Sequence, residues 1–138
     1  YACYCGNYYG SPRKYVEEQM DSGRDVILEI EIQGALKVKK RYPEALLLFV
    51  TPPSAEELKR RLVGRGTESI EVINARLKRA AEEADGMEAY DYLLINDEID
   101  TCVEKMHQLI QLQHEKTSYH LDFLGKMRED LYHLDERN

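Results

Sequence analysis

The chain has 138 residues, of which 43% are hydrophobic and 33% charged, and its formal net charge at pH 7 is −7. This length and composition predict one compact domain with a single core. No apolar run approaches the roughly 18 residues of a membrane-spanning helix, and no secretory pattern occurs, so we expect a cytoplasmic protein without a membrane partner. The acidic balance disfavours nucleic-acid binding, which needs a positive field.

The cysteines give no metal-binding pattern. Cys3, Cys5 and Cys102 make an odd count, and no matching cluster of His and Cys accompanies the Cys3-x-Cys5 pair. Metal sites built on cysteine normally need such a second cluster. We therefore favour buried or half-buried thiols and expect no metal ion held by these residues.

The first elements in chain order are a glycine-flanked segment, GNYYGSP, and a helix. Gly6 and Gly10 permit a tight hairpin, and the tyrosines between them carry rings with polar tips. Ser11 followed by Pro12 is typical of a helix start, and the helix is expected to end at Gly23. A binding loop and a structural hairpin fit these residues equally well.

The next segment, DVILEIEIQG, alternates apolar and other residues over 25–34. The alternation predicts a buried strand with Glu29 and Glu31 at its C-terminal end. Paired carboxylates there could hold Mg²⁺ or accept hydrogen bonds from a ligand with adjacent N–H groups, such as guanine. A solvated strand face is the alternative, although Glu is depleted in strands.

Helices and apolar strands then alternate. A helix is predicted over about 33–41, and the run ALLLFVT reads as a parallel strand covered on both faces. Ser54 and Glu57 form a capping box for the following helix. Further patterns predict a helix over 70–83, a short strand in YLLINDE and a helix from about residue 100. This order predicts an α/β domain with a mainly parallel sheet, whose ligands bind beyond the carboxyl ends of the strands.

Cations concentrate between residues 59 and 79. Gly64 and Gly66 flank Arg65 between two helices, where the backbone can turn freely and approach a ligand. Arg61, Arg65 and Arg76 could converge on phosphates, and phosphoryl transfer depends on such positioned positive charge. From these residues alone, a helix surface with i,i+4 ion pairs is the favoured interpretation.

Taken in order, GNYYGSP, ILEIEIQG, FVTPPSAEELKRRLVGRGTES and INDE closely resemble guanylate kinases over residues 1–112. The resemblance implies a three-layer P-loop kinase-like core and a helical lid at about 64–88. It also implies transfer of the terminal phosphate of ATP to GMP, giving ADP and GDP, with Mg²⁺ carried on ATP.

The resemblance assigns a GMP-binding role to four residues. Tyr9 is similar to the tyrosine that bonds the GMP phosphate, and Ser11 to the hydroxyl at the guanine. Glu31 matches an acidic residue of the GMP pocket, and Glu29 matches one nearer the magnesium and phosphates.

Four further residues resemble positions that act on ATP. Arg61, Arg65 and Arg76 match lid arginines that gather around the transferring phosphates when the lid closes. Asn96 matches a residue near the adenine of ATP.

One family motif does not occur in the chain: no G-x-x-x-x-G-K-[ST] is found in the 138 residues. The family keeps this ATP-binding loop, with arginines that grip GMP and a guanine-binding glutamate, ahead of the hairpin. We therefore expect a chain that lacks the family's N-terminal portion and is inactive by itself. Loss of the first strand would expose a sheet edge, so we expect a homodimer through that edge or through the C-terminal helix.

Other interpretations stay open at this point. One is a non-catalytic guanylate kinase-like module that binds phosphorylated peptides, although such modules have generally lost the paired acids and lid arginines. Another is a gene product without activity in the cell. Residues 113–138 form an extension, for which a packed helix and a partly disordered tail fit equally well.

Overall fold

The structure, a computed structural model, describes residues 3–4, 7–8 and 12–136. It falls into two compact units, Tyr1–Ile95 and Asn96–Asn138, which are described separately. The strands are β1 Cys3–Tyr4, β2 Asn7–Tyr8, β3 Leu48–Thr51 and β4 Tyr92–Ile95. The helices are α1 Pro12–Asp21, α2 Ile32–Arg41, α3 Ala55–Gly64, α4 Ile70–Ala84, α5 Ile99–Gln113 and α6 Leu121–Glu136.

The first unit contains a parallel pair of strands joined through two helices. β3 and β4 pair in parallel, from Leu48 opposite Tyr92 to Thr51 opposite Ile95. The connection between them carries α3 and α4. This arrangement confirms the predicted α/β class with a parallel sheet. β1 and β2 pair antiparallel, with Cys3 opposite Tyr8 and Tyr4 opposite Asn7; Gly6 and Gly10, where the hairpin turn was predicted, lie outside the described residues.

Asp91 fixes the start of the parallel pair. One of its carboxylate oxygens accepts hydrogen bonds from the Leu47 amide at 2.8 Å and from the Lys39 ammonium at 3.3 Å. The Lys39 ammonium also donates to the Ala45 carbonyl at 2.6 Å. Since Lys39 lies in the last turn of α2, this cluster ties the end of that helix to the edge where both strands begin.

The strands are not covered on both faces as the apolar runs predicted. Leu47 and Leu94 are buried, but Val50, Leu93 and Ile95 are 46%, 55% and 54% exposed. Alternate side chains of a strand point to opposite faces, so this pattern is that of a sheet with one better-covered face. A continuous apolar run can therefore form a strand with only one face well buried. The prediction that both faces of these strands are buried is wrong.

The predicted strand in DVILEIEIQG is also wrong. Residues 24–31 have no regular secondary structure, and α2 begins directly after them at Ile32. Ile27 is 69% exposed and Leu28 is 42% exposed, so the segment is not a buried one. A strand is stabilised by hydrogen bonds to a neighbouring strand, and β3 and β4 pair only with each other in the described part of the chain.

Serine caps position the two connecting helices. The Ser54 hydroxyl accepts from the Glu57 amide at 3.1 Å, which confirms the serine half of the predicted capping box of α3; the Glu57 carboxylate bonds Arg60 and Arg61 instead of Ser54. The Ser69 hydroxyl accepts from the Val72 amide at 3.3 Å at the start of α4. Leu62 and Ile73 are the buried residues of α3 and α4.

The second unit is helical. Cys102 on α5 is a free cysteine and is buried, as predicted for this thiol. The extension is helical over Leu121–Glu136. Among the residues that the structure describes, no helix is long and apolar enough to cross a membrane.

Candidate functional site

Glu31 lies at a helix start and is paired with a cation from a distant element. It is the N-cap residue of α2, with an extended backbone and no side-chain capping bond. Its Oε2 accepts a hydrogen bond from Nη2 of Arg79 on α4. The Glu31 side chain is 21% exposed and that of Arg79 is 50% exposed. The pair therefore sits at a partly covered surface that water can reach.

Arg79 is also held within its own helix. Its Nε lies 3.4 Å from Oε1 of Glu83, one turn further along α4. The guanidinium thus bridges two carboxylates, one from the segment before α2 and one from α4. A guanidinium presents several N–H donors in one plane, so it can serve both.

A packing contact next to this ion pair joins the same two elements. A Cβ built on Gly86, just beyond α4, would lie 1.9 Å from Cδ1 of Ile32, the first residue of α2. The end of α4 and the start of α2 therefore approach closely beside Glu31. The approach depends on a residue without a side chain at position 86.

Glu29 is the second predicted acidic residue. It is exposed, and it makes no hydrogen bond or ion pair with any residue in 12–136. Because 24–31 is irregular, the two carboxylates are not placed by a strand. The structure thus keeps Glu29 available to a ligand and holds Glu31 through Arg79.

Arg61 lies on α3 beside a shared carboxylate. Its Nε donates to Oε1 of Glu57 at 3.0 Å, and Arg60 donates to the same carboxylate from Nε at 2.8 Å. The hydrogen bond from Arg60, with the one from Arg61 and the two positive charges, lowers the pKa of Glu57 to about 2. This is the i,i+3 and i,i+4 pairing that the alternative interpretation of the basic segment expects.

Arg76 and Arg65 differ in their surroundings. Arg76 Nη2 lies 2.7 Å from Oε1 of Glu68, in the loop between α3 and α4. The other carboxylate oxygen of Glu68 is buried and has no hydrogen-bond partner in the described structure. Arg65 is the exposed C-cap of α3, and its side chain has no hydrogen-bond or ion-pair partner among residues 12–136. Gly66 follows it with φ of +64°, the left-handed conformation that glycine favours.

The structure does not test the roles predicted for three other site residues. Tyr9 and Ser11 lie outside the residues that the structure describes. Asn96 is half-buried and belongs to the second unit. Their predicted roles stay predictions.

Arg79 and Glu68 were given no role by the sequence. The position of each residue in the sequence could have indicated a role. Arg79 follows Arg76 at i+3, so the two guanidiniums leave α4 on neighbouring parts of its surface. Glu68 lies within the GRGTES motif itself.

No described group of three or more His, Cys, Asp or Glu side chains could hold a metal ion. The described geometry places a carboxylate at the start of α2, Glu31, against one arginine of α4, Arg79. Such a site can accept N–H groups of a ligand and bind anionic oxygens. The fold and these charges define an α/β protein whose described surface carries this carboxylate–arginine pair.

Comparisons with known proteins are consistent with this class. The family model described as guanylate kinase matches residues 1–113. The chain is 48% identical over 130 residues to guanylate kinase of Oceanobacillus iheyensis, covering 94% of this chain and 63% of that protein. It is 52% identical over 116 residues to guanylate kinase of Halalkalibacterium halodurans, covering 84% of this chain and 57% of that protein.

A solved structure agrees with the sequence relatives. The crystal structure of guanylate kinase from Anaplasma phagocytophilum superposes with a TM-score of 0.65 at 36% identity, covering 83% of this chain and 54% of that one. The chain belongs to the guanylate kinase family, as the motifs predicted. It spans less than two thirds of the length of the relatives named here.

Proposed function

We propose that this chain provides the GMP-recognising carboxylates and the lid arginines of a guanylate kinase, which transfers the terminal phosphate of ATP to GMP. The observation that carries the proposal is the family match over residues 1–113, with relatives named guanylate kinase at 48% and 52% identity.

Glu31 is proposed to read the guanine. Its carboxylate can accept hydrogen bonds from the adjacent N1–H and 2-amino groups, and adenine lacks this pair of donors. Ser11 is proposed to bond the same base, and Tyr9 the GMP phosphate. Neither of these two residues lies in the described part of the chain.

Arg61, Arg65 and Arg76 are proposed to stabilise the transferring phosphates, and residues 64–88 to form the lid that carries much of this charge. Carboxylates already orient two of these arginines: Arg61 is paired with Glu57, and Arg76 is paired with Glu68. The other N–H groups of the Arg76 guanidinium can still meet phosphate oxygens. Arg65 keeps its whole guanidinium for a ligand. A positioned arginine can contribute roughly 10³ to 10⁵ in the rate of phosphoryl transfer.

Mg²⁺ is proposed to arrive with ATP. The described residues offer Glu29 as an exposed carboxylate, and they offer no cluster that would hold the ion by itself. Magnesium in kinases is commonly held by one or two protein carboxylates together with substrate phosphates, so this donor set fits. Asn96 is proposed to contact the adenine. A cytoplasmic location remains a prediction.

The test is a calorimetric titration of the 138-residue chain with GMP, with AMP as the control ligand. We expect GMP to bind in preference to AMP, and Glu31→Ala to remove the preference because the variant cannot accept the guanine N–H groups. Equal binding of the two nucleotides would contradict the proposal. Tighter binding of a phosphoserine peptide than of GMP would favour the phosphopeptide-binding module instead.

Phosphotransfer is measured on the same preparation. The chain contains no G-x-x-x-x-G-K-[ST] loop, so we expect no conversion of GMP and ATP to GDP by the chain alone. The control is the same assay on a chain purified with Arg65→Ala, which reveals host kinase contamination as activity that the substitution does not change. GDP formation that is abolished by Arg65→Ala would contradict the expected inactivity.

A further inference from the structure

We propose that Arg79 is a positioning residue for the guanine-reading carboxylate of Glu31. The inference rests on the proposed function, since it concerns the same pocket. It adds a residue from the middle of α4 to that pocket.

The first observation is the contact itself. Arg79 Nη2 donates to Glu31 Oε2, and the two residues are 48 positions apart in the chain. Glu31 has no side-chain capping bond at the start of α2. In the described structure, Arg79 is the residue that orients this carboxylate.

The second observation is that Arg79 is itself constrained from two sides. Its Nε approaches Glu83 on the same helix at 3.4 Å. In addition, Gly86 and Ile32 bring the end of α4 against the start of α2. The guanidinium therefore reaches Glu31 from a supported position.

Recognition of guanine by a carboxylate requires orientation. The N1–H and 2-amino donors are adjacent, so both carboxylate oxygens must face the base edge together. Each oxygen has more than one lone-pair direction, and an arginine on one direction leaves others for the base. Because the hydrogen bond from Arg79 restricts the rotation of the Glu31 side chain, less conformational freedom is lost when the base binds.

The same contact links the base pocket to α4. Arg76, one of the proposed phosphate-binding residues, lies one turn before Arg79 on that helix. A movement of α4 would therefore shift Arg76 and the support of Glu31 together.

The experiment compares nucleotide binding by the full chain and its variants. Arg79→Met removes the donors and the charge, and Arg79→Lys keeps the charge without the planar group. Lys78→Met is the matched control, because it removes the same charge from the neighbouring position of α4, where Lys78 makes no ion pair with the described residues. GMP and IMP are titrated into each protein, since IMP has N1–H and lacks the 2-amino group. Urea unfolding of each variant establishes that it is folded.

We expect Arg79→Met to weaken GMP binding by about threefold to fivefold, the range for a partly exposed ion pair. IMP binding should weaken less, so the preference for GMP over IMP should fall. Arg79→Lys should recover part of the loss, and Lys78→Met should match the unaltered chain. With Glu31→Gln already present, Arg79→Met should have no further effect, which a merely structural role would not produce.

The outcomes separate this inference from the function on which it rests. GMP binding that Glu31→Gln weakens and Arg79→Met leaves unchanged overturns the inference and leaves the function intact. Tighter GMP binding in Arg79→Met also overturns it, because Arg79 would then compete with the base. GMP binding that is absent from the unaltered chain, or that Glu31→Gln does not change, overturns the proposed function and this inference with it.

Discussion

The acidity of Glu57 is set by two neighbouring arginines on its own helix. The hydrogen bond from Arg60, the bond from Arg61 and their charges lower its pKa from 4.5 to about 2. A carboxyl group whose pKa is lower in the folded state stabilises the fold above its unfolded pKa. That contribution should be lost as the pH falls from about 4.5 to about 2.

We therefore predict that Glu57→Gln lowers the melting temperature at pH 7, and that the difference from the unaltered chain shrinks between pH 4.5 and pH 2. The measurement is thermal unfolding across this pH range. Glu56→Gln is the control, because Glu56 lies in the same first turn of α3 and is exposed. An equal pH dependence for the two variants would show that the arginine bonds to Glu57 do not form in solution.

A second residue-scale prediction concerns Glu17 on α1. The hydroxyl of Tyr42 donates to Glu17 Oε1 at 2.5 Å, and Arg13 lies 3.4 Å from the same oxygen. The Tyr42 hydrogen bond, followed by the Arg13 hydrogen bond, lowers the pKa of Glu17. Tyr42→Phe should therefore raise that pKa by more than Arg13→Gln does, as followed by carboxyl-carbon NMR titration. The reverse order would contradict the assigned cause.

At the scale of elements, the approach of α4 to α2 gives a prediction about packing. Gly86 has φ of −105°, which any residue can adopt, so only space limits a substitution there. Gly86→Ala would place its Cβ against Cδ1 of Ile32 and should destabilise the fold by about 1 kcal/mol. Urea unfolding measures the change in the free energy of unfolding.

A substitution of Ile32, which faces Gly86, tests whether this contact causes the loss of stability. Ile32→Val removes the Cδ1 methyl group, so Gly86→Ala should cost less when Ile32→Val is already present. Gly64→Ala is the control, because no atom lies within 4 Å of a Cβ at that position in α3, and it should be neutral or stabilising. Additive effects of Gly86→Ala and Ile32→Val would indicate that the two elements do not meet at this point.

At the scale of the whole molecule, we expect a homodimer that buries exposed apolar side chains of α6. Met127 and Leu131 are one helical turn apart on α6, and they are 44% and 58% exposed. Apolar positions at this spacing are typical of a helix that packs against another helix. We predict a monomer–dimer equilibrium at high protein concentration, measured by sedimentation.

The matched variants of that experiment lie on the same helix. Leu131→Glu should shift the equilibrium toward monomer, because a charge would be buried between the two copies. His133→Glu introduces the same side chain at a position outside the apolar row and should leave the equilibrium unchanged. A sedimentation profile with monomer alone at high concentration would rule out the dimer, and dimerisation insensitive to Leu131→Glu would move the interface to the sheet edge.

By itself, the sequence determined the helices and strands that are specified by residues close together in the chain. The Ser54 cap of α3, the helical spacing of α4 and the apolar strands β3 and β4 were all predicted within a few residues, because capping and periodicity act between near neighbours. The motifs also identified the family. These conclusions need no knowledge of the tertiary structure.

Only the tertiary structure decided the features that depend on residues far apart in the chain. Alternation over 25–32 predicted a strand, but a strand needs a neighbour for its backbone hydrogen bonds, and that segment has none among the described residues. Likewise, nothing near Glu31 in the chain indicated Arg79, which lies 48 residues away. Periodicity records which side chains can share a face, whereas strand pairing and long-range ion pairs depend on which elements meet.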